Sequence, residues 1–102
     1  MDKTHELDET PPEVIESSII EKTDTTVKLH FETNETLRKL TVRYRTVGTL
    51  EWLEFEVDEE IIRLALAFNI DLAGLIAGEF YEYQYVLEDD DGNQTITEWE
   101  KV

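Results

Sequence analysis

The sequence predicts an all-β fold, a seven-stranded antiparallel Greek-key β-sandwich, on three observations. Apolar and polar residues alternate with period two in five separate runs, turn-forming residues stand between the runs, and 102 residues give room for one core. Period-two alternation sends every second side chain to one face, as a half-buried antiparallel strand requires.

The elements follow in chain order. A first strand is expected around residues 14–20, just after Pro11-Pro12. Val27, Leu29 and Phe31 then alternate with Lys28, His30 and Glu32, and Leu40, Val42 and Tyr44 alternate with Thr41, Arg43 and Arg45. Leu53, Phe55 and Val57 alternate with Glu54, Glu56 and Asp58, which predicts an inward-facing apolar set on the fourth strand. Residues 58–67 are rich in helix formers with acids at the front, so a short helix competes there. A fifth strand is favoured from Leu66, because Phe68, Ile70 and Leu72 continue the alternation through Asn69 and Asp71. Tyr81, Tyr83, Tyr85 and Leu87 line the sixth, with Val86 the one apolar residue on its polar side. A last strand is expected over residues 94–101, where Ile96 and Trp99 have opposite parity and leave its facing open. Thr33-Asn34-Glu35-Thr36, Val47-Gly48-Thr49 and the run from Asp89 to Asn93 supply the turns. Residues 1–10, acidic and nearly without aliphatic side chains, are expected as a flexible lead-in, and residues 11–102 as the domain.

Charge and composition exclude more than they assign. The net charge is −16, from 9 basic and 25 acidic residues, which opposes direct binding to nucleic acid or anionic lipid. Residues 27–48 are the exception, with 5 basic and 2 acidic side chains; residues 49–102 hold 2 basic and 15 acidic. With no cysteine there is no disulfide, thiolate metal site or cysteine nucleophile. No apolar run approaches the roughly 18 residues of a membrane span. The N-terminus lacks the basic-then-apolar pattern of a secretory signal. The chain is therefore expected either to act where it is made or to be a piece of a longer protein, extracellular or in a virion in the latter case or as a structural subunit.

Several residues together resemble a fibronectin type III domain over roughly residues 11–102. Pro11-Pro12 stand where such domains often begin, and Phe31 where the family has a buried tryptophan. Residues 40–45, followed by Gly48 and Trp52, resemble the third strand and the approach to the fourth. Leu72 and then Gly74 to Tyr81 give the best match: Leu75 and Tyr81 resemble the leucine and tyrosine of the family's tyrosine corner, with Ala77 where a proline is common. The resemblance implies an immunoglobulin-like sandwich with strands one, two and five in one sheet and four, three, six and seven in the other. It implies a Tyr81 hydroxyl bonded to nearby backbone. It implies no particular function, because such sandwiches serve many roles.

Candidate chemistry is sparse. His5 and His30 are the two histidines, and neither has a serine or carboxylate constellation around it, so no catalytic residue is assigned and an enzyme is not expected. No cofactor is implied. Asp89, Asp90, Asp91 and Asn93 form a weak calcium candidate, but the spacing around Gly92 fails the EF-hand loop and a solvated hairpin turn accounts for it better. Arg43 and Arg45 share the outward face of the third strand, where Glu54, Glu56, Glu82 and Gln84 are the expected cross-strand neighbours. Trp52 and Trp99 are candidate contact anchors, with stacking on arginine stems as the alternative for Trp52. Asn34-Glu35-Thr36 and Asn93-Gln94-Thr95 are glycosylation sequons. These readings converge on a non-catalytic adhesion, spacer or assembly module with a protein partner or neighbouring subunits, such as an accessory subunit of a viral particle or part of a cell-surface protein. The competing reading is an acidic inhibitor that imitates DNA.

Overall fold

Two antiparallel sheets face each other in the computed structural model, which describes residues 10–102; the expected acidic lead-in, apart from Thr10, and His5 lie outside the described residues. The first sheet has the order β1 (Val14–Lys22), β2 (Val27–Thr33), β5 (Ala67–Leu72). The second runs β4 (Leu53–Glu56), β3 (Lys39–Thr46), β6 (Tyr81–Glu88), with β7 (Gln94–Ile96) and β8 (Glu100–Lys101) both on the far side of β6. The expected partition of strands between sheets is the one observed.

The inward side chains are those that the alternation marks. Leu29, Phe31, Leu40, Val42 and Leu87 are completely buried, with Ile70, Leu72, Tyr83 and Tyr85 beside them. The Phe31 ring lies 4.8 Å from that of Tyr85 and 5.4 Å from that of Phe68, centroid to centroid, so it joins both sheets at the centre of the core. The Tyr85 hydroxyl crosses the sandwich to Ser17 Oγ at 2.7 Å. Burial raises the Tyr85 phenol well above the ordinary range, so it stays neutral.

The short helix competing for residues 58–67 does form: α1 spans Glu59–Leu64. Asp58 caps it by accepting the Glu60 N–H at 2.9 Å, Glu59 and Glu60 fill the first turn, and Arg63 sits in the last. Ile62 plugs the core at 1 % exposure and its carbonyl accepts the Leu37 N–H. The helix thereby links β4, an edge of one sheet, to β5, an edge of the other.

Two expectations need correction. The last strand is interrupted, so the described residues hold two short strands, β7 and β8, where one was expected. Thr97 causes the break: its Oγ1 accepts the Tyr85 N–H at 2.9 Å, taking the place of a ladder carbonyl, while its own N–H donates to Tyr85 O. The interruption resolves the conflicting parity of Ile96 and Trp99. The second correction concerns β4. Its apolar face points inward as expected but is not buried: Leu53 is 65 % and Phe55 40 % exposed. A three-stranded sheet cannot cover a wider one, and β4 overhangs.

At the β5–β6 crossing, the Ile76 N–H donates to Tyr81 Oη at 2.9 Å, and Leu75 is buried with its N–H on Thr25 O. Gly78 turns this loop at φ 88°, a conformation that a Cβ disfavours. Tyr81 is half-buried and the bond solvent-accessible, so its net worth is that of an ordinary hydrogen bond. Tyr81→Phe should cost about 0.5–1.5 kcal/mol in chemical denaturation, whereas Phe31→Ala, which empties the core centre, should cost about 3–5 kcal/mol. A Tyr81→Phe variant as stable as the parent would mean that the corner bond adds nothing.

Candidate interaction surface

The outer face of the second sheet is built from the polar half of each alternation. Register places Arg43 opposite Glu54 on β4 and Gln84 on β6, and Arg45 opposite Glu82. The bonds follow the register. Arg43 Nε donates to Glu54 Oε2 at 3.2 Å and its Nη1 to Gln84 Oε1 at 3.1 Å. Arg45 Nε donates to Glu82 Oε2 at 2.6 Å, with side-chain exposures of only 18 % and 12 %. Lys39 pairs with Glu56 at 3.0 Å, and that carboxylate raises the lysine pKa. The basic island of the sequence is thus neutralised strand by strand. The exposed pair Lys39–Glu56 contributes about 0.2–1 kcal/mol.

The two tryptophans cover these arginines. Arg43 lies over the Trp52 ring at 4.8 Å and Arg45 over Trp99 at 3.8 Å, guanidinium carbon to centroid. The two rings meet at 6.1 Å, tilted by 53°. Trp99 reaches Trp52 across the sheet because the interruption at Thr97 frees the chain between β7 and β8 from the pleat. Beneath this layer Gln84 is buried, although it lies on the outer face, and its amide donates to Thr97 O at 2.9 Å. Trp52, Trp99, Arg43 and Arg45, four residues singled out separately in the sequence, therefore form one cluster.

The acidic turn behaves differently. Asp89 is 2 % exposed and its carboxylate accepts the N–H groups of Asp91 and Asn93 and the Asn93 side-chain amide, at 2.8–3.0 Å. Asp90 instead reaches Arg63 Nη1 at 3.4 Å. The Asp89 and Asp90 carboxylates of the weak calcium candidate are thus bonded to different partners, and among the described residues no group of three or more His, Asp or Glu side chains converges. Gly92 closes the turn at φ 85°, which explains its identity without a cation. Burial pushes the Asp89 pKa up, but the bonds from Asn93 and Asp91 outweigh it and hold the carboxyl below its ordinary 3.8. Glu88 is likewise lowered, by Gln94 and Arg38. Both sequon asparagines are also engaged, Asn34 Oδ1 by the Glu13 N–H and Asn93 by Asp89.

On the opposite outer face, His30 Nδ1 contacts Asn69 Oδ1 at 3.1 Å and its Nε2 lies 3.6 Å from Glu32. Asn69 and then Glu32 raise its pKa, despite partial desolvation. Ser18 on β1 is its cross-strand register partner.

Apolar side chains are exposed at several places, Ile15, Ile20, Ile76 and Phe80 among them, and the open side of β4 is one of these. There Leu53 and Phe55 expose 65 % and 40 % of their surface. Leu50 and Leu64, which flank β4 and end α1, are almost fully exposed. No helix of the described residues is long and apolar enough to cross a membrane.

Comparison with known proteins yields a likeness of shape alone. No family model and no curated protein matches the sequence. Among solved structures, a bromine derivative of a family 56 carbohydrate-binding module superposes with a TM-score of 0.61 at 21 % identity, covering 84 % of this chain and 87 % of that one. The likeness extends to a β-sandwich of similar size.

Two outcomes test the electrostatics. Because the folded Asp89 pKa is depressed, its contribution is complete above pH 3.8 and is lost as pH falls through the folded value. Asp89→Asn should therefore be less stable than the parent at pH 7, with the gap narrowing toward pH 3 in denaturant titrations. A pH-independent gap would assign the loss to turn geometry instead. A double-mutant cycle over Arg45→Met and Trp99→Leu should return a coupling of about 0.5–1 kcal/mol. Zero coupling would mean that the rings merely lie there.

Proposed function

We propose that the domain is a non-catalytic recognition and assembly module of the fibronectin type III kind, and that it meets a protein partner on the β4 side of its second sheet. One observation carries the reading. The core is closed wherever the two sheets overlap, yet the inner face of β4 keeps Leu53 and Phe55 in solvent. Apolar side chains left open on one face of a strand, in a small and highly charged protein, mark an interaction site. The carbohydrate-binding neighbour supports the non-catalytic half of the proposal, since a similar sandwich there serves as a binding module.

The geometry favours protein over saccharide. Trp52 and Trp99 each give a ring face to a guanidinium and are tilted by 53°, so they offer no single flat platform. It also favours an assembly module over an imitation of DNA. Glu54, Glu56, Glu59, Glu82, Glu88 and Asp90 are each paired with an arginine or lysine, which breaks up the run of bare charge that a phosphate-like array needs. A spacer role, or a place as an accessory subunit of a particle or cell surface, fits the same module.

Leu53→Ser combined with Phe55→Ser should leave the fold intact, since Leu53 is mostly in water already. Affinity capture from an extract of the source cells, run in parallel with the parent and the double variant, is the test. Proteins held by the parent and lost by the variant are the expected result. Identical retained sets would place the interface elsewhere.

A further inference from the structure

We propose that the free edge of β4 is a strand-addition site for an extended segment in which apolar and basic residues alternate. This rests on the reading of β4 as an interaction surface and adds its mode and the chemistry of its partner. β4 is hydrogen-bonded to β3 alone among the described strands. Val57 N–H donates to Leu40 O at 3.0 Å, just beyond the ladder in which Phe55 faces Val42 and Leu53 faces Tyr44. In an antiparallel ladder bonded and non-bonded pairs alternate. The backbone groups of Leu53 and Phe55 are thus turned to β3, and those of Glu54 and Glu56 to the open side. They form an empty rung for an incoming strand.

The β4 edge lacks the shape-based guards of β1 and of β7 with β8, and is protected only by its shortness and its glutamates. β1 carries two register irregularities, at Val14/Glu16 and Ile19/Glu21, and is entered through Pro11-Pro12. The edge of β7 and β8 is broken at Thr97. β5 also has an unbroken register, but Ile70 and Leu72 are buried and Phe68 is partly so, which leaves less apolar surface beside its edge than β4 has. β4 has an unbroken register, no proline and no lysine, and it exposes apolar side chains beside a free edge. Bulges, prolines and lysines are the usual defences against strand addition.

Charge selects the occupant. From Glu51 to Glu60 the chain holds six carboxylates and no basic residue; Glu54, Glu56 and Glu59 are paired with Arg43, Lys39 and Arg63, so the selection comes from the acidic excess of the segment and of the whole chain. A second copy would bring an equal set of carboxylates, on molecules of net charge −16, against this edge. A cationic strand is drawn to it. Its apolar side chains would lie over Leu53 and Phe55, and its basic ones beside Glu54 and Glu56, because the pleat sends alternate residues to opposite faces.

The test uses the whole chain and a short capped peptide of alternating lysine and valine. A peptide of the same composition, with its lysines and valines in two blocks, is the control. The alternating peptide should slow amide exchange of Glu54 and Glu56 and bind at least about tenfold tighter than the block peptide, a gap of about 1.4 kcal/mol. Glu56→Pro removes an outward N–H without touching the β3 ladder and should abolish that preference. Glu56→Gln keeps the N–H and should retain it. Equal binding of both peptides, or an undiminished preference in Glu56→Pro, overturns strand addition. So does a dimer of the parent in sedimentation that Glu56→Pro dissolves, which would make the occupant a second copy. If Glu56→Pro does not fold, unchanged amide exchange in the parent on peptide addition overturns it alone. Should strand addition fail while Leu53→Ser with Phe55→Ser still loses captured proteins, β4 remains an interface that works through side chains.

Discussion

The β3–β6 ladder is the constraint on which the rest depends. Eight consecutive pairs, from Lys39 opposite Glu88 to Thr46 opposite Tyr81, run without a break. That register puts Leu40, Val42, Tyr83, Tyr85 and Leu87 in the core, and Arg43, Arg45, Glu82 and Gln84 on the outside. A slip of one residue would exchange the two sets and carry two guanidinium groups into an apolar interior. Because this pairing cannot shift, the positions of β4 on one side and β7 and β8 on the other are set with it.

The second sheet is in effect covered twice. Its inner face is closed by the first sheet, except along β4. Its outer face carries a thin layer of its own, in which Trp52 and Trp99 lie over Arg43 and Arg45 and bury Gln84. An amide hidden in that position needs partners, and Arg43 and Thr97 O supply them. The first sheet has no comparable layer: its outer face carries His30, Glu16, Glu32 and Asn69, close enough for Glu32 to raise the Glu16 pKa.

Much of this was legible in the sequence, because alternation reports directly which side of a strand is apolar. The division of strands between sheets is what the resemblance to a fibronectin type III domain implies, and within that arrangement the arginine–glutamate pairs across β3 and the packing of Trp52 on an arginine follow from the alternation. The exposure of Leu53 and Phe55 does not. Periodicity says which way a side chain points, while burial depends on the width of the opposing sheet, a property of topology. The contact between Trp99 and Trp52 was out of reach for a similar reason. It depends on Thr97 replacing one rung of the ladder with its hydroxyl, and nothing in the pattern of Ile96 and Trp99 announces that exchange. The acidic turn is the opposite case: Asp89, Gly92 and Asn93 are turn chemistry, and the structure shows the turn bonds that their order suggests.

The β4 edge is defended by a field and not by a shape. Bulges and prolines hinder a strand at any ionic strength, whereas repulsion between carboxylates reaches about 10 Å at 0.1 M salt and about 3 Å at 1 M. The colloidal behaviour of the molecule is therefore a property of the solution as well as of the fold. In dilute buffer, copies hold one another off and the exposed leucines and phenylalanine stay apart. In concentrated salt that separation shrinks to contact range while hydrophobic attraction persists, so the protection of this edge weakens as salt rises.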